Sequence, residues 1–119
     1  MLSMQNRLRR FYSALAAIES LNGQVYHDDS VSRSEFPYLV WSEVSETTPF
    51  QIDNHKEEQP IQISVNFYTT TEFDPIVDDI QETLNSLEHV YWELASRQPF
   101  DPSFDNNNVI TYSWNVEVV

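Results

Sequence analysis

Three adjacent residues, His27, Asp28 and Asp29, are the densest set of ligating and proton-transferring groups in the chain. An imidazole beside two carboxylates has the donor types for a divalent ion or a proton relay. Their spacing matches no zinc arrangement, because neighbours in one turn do not readily converge on a single ion. A solvated turn accounts for them. His55 falls in a polar segment, and His89 at the expected end of a helix, where a partly positive ring suits the dipole. Glu57-Glu58 and Asp78-Asp79 are paired carboxylates, but sequence neighbours rarely face each other across a substrate. No serine sits in a nucleophile elbow, and a chain with one glycine has no glycine-rich phosphate loop. The absence of cysteine removes disulfides, thiolate metal sites and cysteine nucleophiles. The chain is therefore expected not to be an enzyme, with no catalytic, cofactor-binding or metal-ligating residues and no cofactor.

The residues that remain have to be read through the elements that hold them. A chain of 119 residues, 40% hydrophobic and 13% aromatic, is expected to form a single domain over 1–119 with one core. No stretch approaches the roughly 18 apolar residues of a membrane span, so no membrane partner is expected. The N-terminal segment is amphipathic rather than solidly apolar, which argues against a secretory signal. Charge is lopsided at −13. Residues 1–21 hold Arg7, Arg9 and Arg10 against Glu19, a net of +2, which leaves −15 on the remaining 98. An acidic body of this kind repels duplex DNA, whose tight binding needs clustered Lys and Arg.

The chain is organised around Pro60 to His89. Ile61, Ile63, Val65 and Phe67 alternate with Gln62, Ser64, Asn66 and Tyr68, the period of a strand with one dry face. The period then changes: Phe73, Val77, Ile80, Leu84 and Leu87 draw one apolar stripe along a helix. Thr71 or Asp74 is the expected N-cap, with Pro75 in the first turn. Before this unit, Met4, Leu8, Phe11, Leu15 and Ile18 predict a first helix over 3–21, stopped by Asn22-Gly23. Val25–His27 predicts a short strand. Pro37–Val44 predicts another, apolar on both sides in its first half, whose second face needs cover from another element or another subunit. Residues 45–60 are polar and predict a long mobile loop between two antiparallel strands. Val90–Ala95 and Ile110–Val118 predict a closing hairpin across a Pro/Asn-rich connection. The fold class is thus α+β, in the order α-β-β-β-α-β-β, a mostly antiparallel sheet with two helices packed on one face.

Taken together, these elements resemble the small tail-completion proteins of long-tailed bacteriophages, the tail-terminator and tail-to-head joining group. The pieces that carry the resemblance are the helix Phe11-Tyr12-Ser13-Ala14-Leu15-Ala16-Ala17-Ile18, the Val25-Tyr26 strand and the Phe36-Pro37-Tyr38-Leu39-Val40 strand. The Ile61–Tyr68 strand, the Ile76-Val77-Asp78-Asp79-Ile80 helix and the closing hairpin follow in the same order. The resemblance implies a virion protein made in the bacterial host cytoplasm and located at the phage tail or head–tail interface. It implies a homo-oligomeric ring, commonly a hexamer, that caps the tail tube and meets tail-tube and head-connector proteins. No catalytic residue comes with it. An acidic lumen then lets DNA pass without specific binding.

The alternative is a small non-catalytic adaptor that binds a protein partner through its basic first helix. Partner contacts are expected from Arg7, Arg9 and Arg10 on that helix and from Trp41 on the doubly apolar strand. Phe50, Ile52, His55 and Lys56 in the 45–60 loop complete the candidate surface.

Overall fold

The computed structural model describes residues 3–28, 35–44, 60–102, 104 and 108–119. Its elements are helix α1 (Met4–Ala16), one 3-10 turn (Glu19–Leu21), and strands β1 (Val25–His27), β2 (Tyr38–Glu43) and β3 (Ile61–Thr69). Helix α2 (Ile76–Ser86) and strands β4 (Val90–Gln98) and β5 (Ile110–Val118) complete the chain. This is the expected α+β order, gathered into one five-stranded sheet arranged β1-β2-β3-β5-β4. Every neighbouring pair is antiparallel except β1 with β2, which run parallel with Val25 opposite Leu39 and His27 opposite Trp41. The last strand of the chain is therefore interior to the sheet, which is why β5 shows so regular an alternation.

β3 decides which way the sheet faces. Ile61, Ile63, Val65, Phe67 and Thr69 are buried, whereas Gln62 is exposed and Ser64, Asn66 and Tyr68 are half-buried. Ile110, Tyr112, Trp114, Val116 and Val118 lie opposite the buried set and extend it across β5. Leu8, Phe11 and Leu15 of α1 and Ile80 and Leu84 of α2 belong to the same core cluster, so both helices cover this one face. Each such side chain contributes about 1.5–3 kcal/mol on burial. Polar groups at the contact are matched as well: the Trp114 indole N–H donates to Gln81 Oε1 at 3.1 Å.

The expected first helix over 3–21 is in fact two pieces. The Ala17 N–H bonds the Ser13 carbonyl and the Ile18 N–H the Leu15 carbonyl, Ile18 is extended, and the chain re-coils at Glu19. Packing against α2 overrides helical continuity here: Ile18 and Leu21 are both buried, and the Ser20 hydroxyl donates to Asp79 Oδ2 at 2.8 Å. The α-helix thus stops at Ala16, earlier than expected, and Asn22 (φ 51°) and Gly23 (φ 77°), both left-handed, close the 3-10 turn instead. In α2 the stripe shortens at its start. Phe73 does not join it but sits 83% exposed in the preceding turn at φ 56°. The helix begins only at Ile76, where Asp74 Oδ1 accepts the backbone N–H at 2.9 Å. Of the two candidate caps, Asp74 supplies the bond. Thr71 instead gives its N–H to the Thr69 hydroxyl.

The second face of the sheet is covered at one end by the chain itself, so β2 does not need a neighbour there. Tyr38 is buried beneath Tyr26, Phe36 and Tyr68, stacking on Tyr68 with ring centroids 4.8 Å apart. Phe104, from the β4–β5 connection, packs on both Phe36 and Tyr68. Two buried aspartates brace this end from opposite faces. Asp74 accepts from the Thr69 hydroxyl on the helix side, and Asp101 accepts from the Thr111 hydroxyl on the other. Residues 45–59 of the expected mobile loop lie outside the described residues.

Candidate functional site

Strand β4 forms one edge of the sheet and is three times the length of β1 at the other edge. Val90 and Trp92 pack against the core, but every residue from Glu93 to Gln98 is exposed. Register explains the change. Val90, Trp92 and Leu94 stand opposite Val118, Val116 and Trp114, and then a bulge at Ala95 shifts the pairing so that Arg97 meets Tyr112. Beyond that point no helix among the described residues covers the strand, and Ser96 to Gln98 are exposed. Tyr91 is 61% exposed on one face and Leu94 is 45% exposed on the other. Arg97 lies over the Tyr112 ring at 5.7 Å, and its Nε donates to the Tyr112 hydroxyl at 3.2 Å. Among the described residues, no strand pairs with the outer side of β4. A long edge strand presents unpaired backbone groups, tempered here by Glu93, Arg97 and the bulge at Ala95.

The residues expected to contact partners distribute unevenly. Arg9 and Arg10 are exposed on α1. Arg7 is half-buried, with its guanidinium 3.5 Å from the Val118 carbonyl, so it belongs partly to the packing of α1 on β5. Trp41 is a correction: it is 1% exposed, in the core under Phe11 and Tyr12. Of the two apolar faces of β2, the one that carries Trp41 is the helix-covered face. Phe50, Ile52, His55 and Lys56 lie outside the described residues.

Carboxylates gather in two places. An open groove of about 530 Å³ between the 3-10 turn and α2 is lined by Glu19, Asp79 and Glu82 together with small hydroxyl side chains. No imidazole or cation lines it, and its charge suits repulsion of phosphates. The second place is the end of β1. His27 Nε2 lies 2.5 Å from Glu43 Oε1 and 3.3 Å from Asp28 Oδ2. The ring is held by stacking on Trp41, centroid to centroid 4.0 Å, with Tyr12 tilted against it at 6.2 Å. The Trp41 indole N–H is buried without an acceptor among the described residues. Parallel pairing of β1 and β2 makes this cluster, since Glu43 lies two residues beyond the partner of His27 and on the same face. Sixteen positions separate His27 from Glu43, so spacing along the chain gave no sign of their meeting.

Burial, aided by the nearby Tyr38 and Asp101, pushes the Tyr68 phenol above the usual tyrosine range. This is a property of the aromatic cover and not of a cleft. Among the described residues, no helix is long and apolar enough to cross a membrane. No family model matches the chain, and no curated protein matches it.

Proposed function

We propose that this chain is a non-catalytic structural subunit of a phage or prophage virion, a tail terminator or head–tail joining protein that assembles into a ring with copies of itself. The observation that carries the reading is β4, an edge strand exposed from Glu93 to Gln98 that also displays Tyr91 on one face and Leu94 on the other. An open sheet edge is a place where another chain can add, and Tyr91 and Leu94 would flank such a contact. A ring needs a heterologous contact, in which the β4 region of one copy meets a different surface of the next. The acidic balance of −13 suits a ring through which DNA slides without adhering.

Size-exclusion chromatography with light scattering tests the proposal. The wild-type chain is expected to assemble at high concentration or alongside its tail-tube partner, and Tyr91→Lys/Leu94→Lys to remain monomeric yet folded. A wild-type chain that stays monomeric under both conditions overturns it.

Exposed Arg9 and Arg10 favour a second reading, an adaptor that docks on an acidic protein through α1. Reversal of Arg7, Arg9 and Arg10 to glutamate abolishes binding under that reading, whereas a β4-built ring survives it largely intact.

A further inference from the structure

We infer that His27, Asp28 and Glu43 form a binding site for a single divalent transition-metal ion of the Zn²⁺ or Mn²⁺ type. Neighbours in one turn do not readily converge on a single ion, but the parallel β1–β2 pairing brings Glu43 to His27 from a second strand. One imidazole nitrogen and two carboxylate oxygens lie within 4.8 Å of one another. An ion set between them would draw all three to the roughly 2.0–2.2 Å that Zn–N and Zn–O bonds require. Mixed imidazole and carboxylate donors suit these ions better than Ca²⁺ or Mg²⁺, which take oxygen ligands.

Three features of the site favour an ion over a closed hydrogen-bond network. The two carboxylates share one nitrogen, Nε2, so a single N–H cannot serve both and negative charge is left over. The His27 ring is already fixed by its stack on Trp41, so little freedom is lost when Nε2 becomes a ligand. Side-chain exposures of 31% for His27 and Glu43 and 59% for Asp28 give an ion access and leave room for water to complete its coordination. Asp28 and Glu43 both pair with His27, and neither has a lysine or arginine partner among the described residues.

Calorimetric titration of the full, metal-stripped chain with Zn²⁺ and separately with Mn²⁺ tests the inference. One ion per chain is expected to bind, with Kd below about 10 μM for the better of the two. His27→Ala and Glu43→Gln each weaken binding at least about tenfold, in line with the loss of a ligand or its orienting partner. His55→Ala and His89→Ala leave it unchanged. Because Glu43→Gln preserves shape and length, a loss in that variant is not attributable to unfolding, which far-UV circular dichroism verifies. In the wild type the imidazole resonances of His27 shift on addition of zinc, read by NMR. No binding of either ion at 100 μM (about ten times that Kd limit), or binding that survives His27→Ala or disappears with His55→Ala or His89→Ala, overturns the inference.

Discussion

Asp74 is the residue whose removal should show most clearly how α2 is fastened to the sheet. Its carboxylate is 7% exposed and makes two bonds: Oδ1 accepts the Ile76 N–H at 2.9 Å, and Oδ2 accepts the Thr69 hydroxyl at 2.6 Å. Thr69 is itself 1% exposed and ends β3, so one side chain joins the last residue of a strand to the first turn of the helix that follows. Asp74→Ala removes a helix cap, a loss of about 1 kcal/mol. It also leaves the buried Thr69 hydroxyl without its acceptor, a penalty of about 1–3 kcal/mol. The sum is about 2–4 kcal/mol, against a total of about 5–15 for a domain of this kind. At about 4 °C per kcal/mol for a chain of this size, the melting midpoint falls by about 8–16 °C. Urea unfolding followed by tryptophan fluorescence reads the change, since Trp41 and Trp114 are fully buried. The decisive comparison is a cycle with Thr69→Val. Once the hydroxyl is gone, Asp74→Ala should cost less by about 1–2 kcal/mol. A single-variant loss under about 0.5 kcal/mol, or strict additivity in the cycle, would refute the account.

Two further outcomes are expected. An unfolded tyrosine loses its proton near pH 10, while folded Tyr68 holds its proton to higher pH. The unfolded state therefore sheds protons first, and stability falls as pH rises past about 10. Urea midpoints across that range should decline less steeply in Tyr68→Phe, and an unaltered slope would contradict the assignment. Leu15 and Leu94 form a matched contrast, at 0% and 45% exposure. Leu15→Ala is expected to cost about 2–5 kcal/mol, and Leu94→Ala to change monomer stability by no more than about 0.5 kcal/mol. Equal losses by denaturant titration would mean that Leu94 is not the surface residue described.

Much of the architecture was legible because its elements have strong periods. β3 and β5 read directly from their two-residue alternation, and Gly23, alone of its kind, marked the end of the coiled N-terminal segment at the 3-10 turn. What failed to read was set by contacts distant in the chain. Ile18 fits a continuous helical stripe, yet the helix stops at Ala16 and Ile18 is extended, with Ile18 and Leu21 both buried. Phe73 fits the same spacing in α2 but precedes the cap that starts the coil. Trp41 looked available because β2 is apolar on both sides, and periodicity alone does not tell which side the helices take. Glu43 joined His27 only through a parallel pairing, and Arg97 extended β4 past Ala95 only through a bulge.

That bulge sets a ruler on whatever docks at the β4 edge. Only Val90–Leu94 keeps one uninterrupted register with β5, a span of about 17 Å at about 3.4 Å per residue. An incoming segment finds about five residues to zip against before the template twists away. Under the ring proposal, the same residue that ends this register limits how far a paired neighbour can extend along the edge.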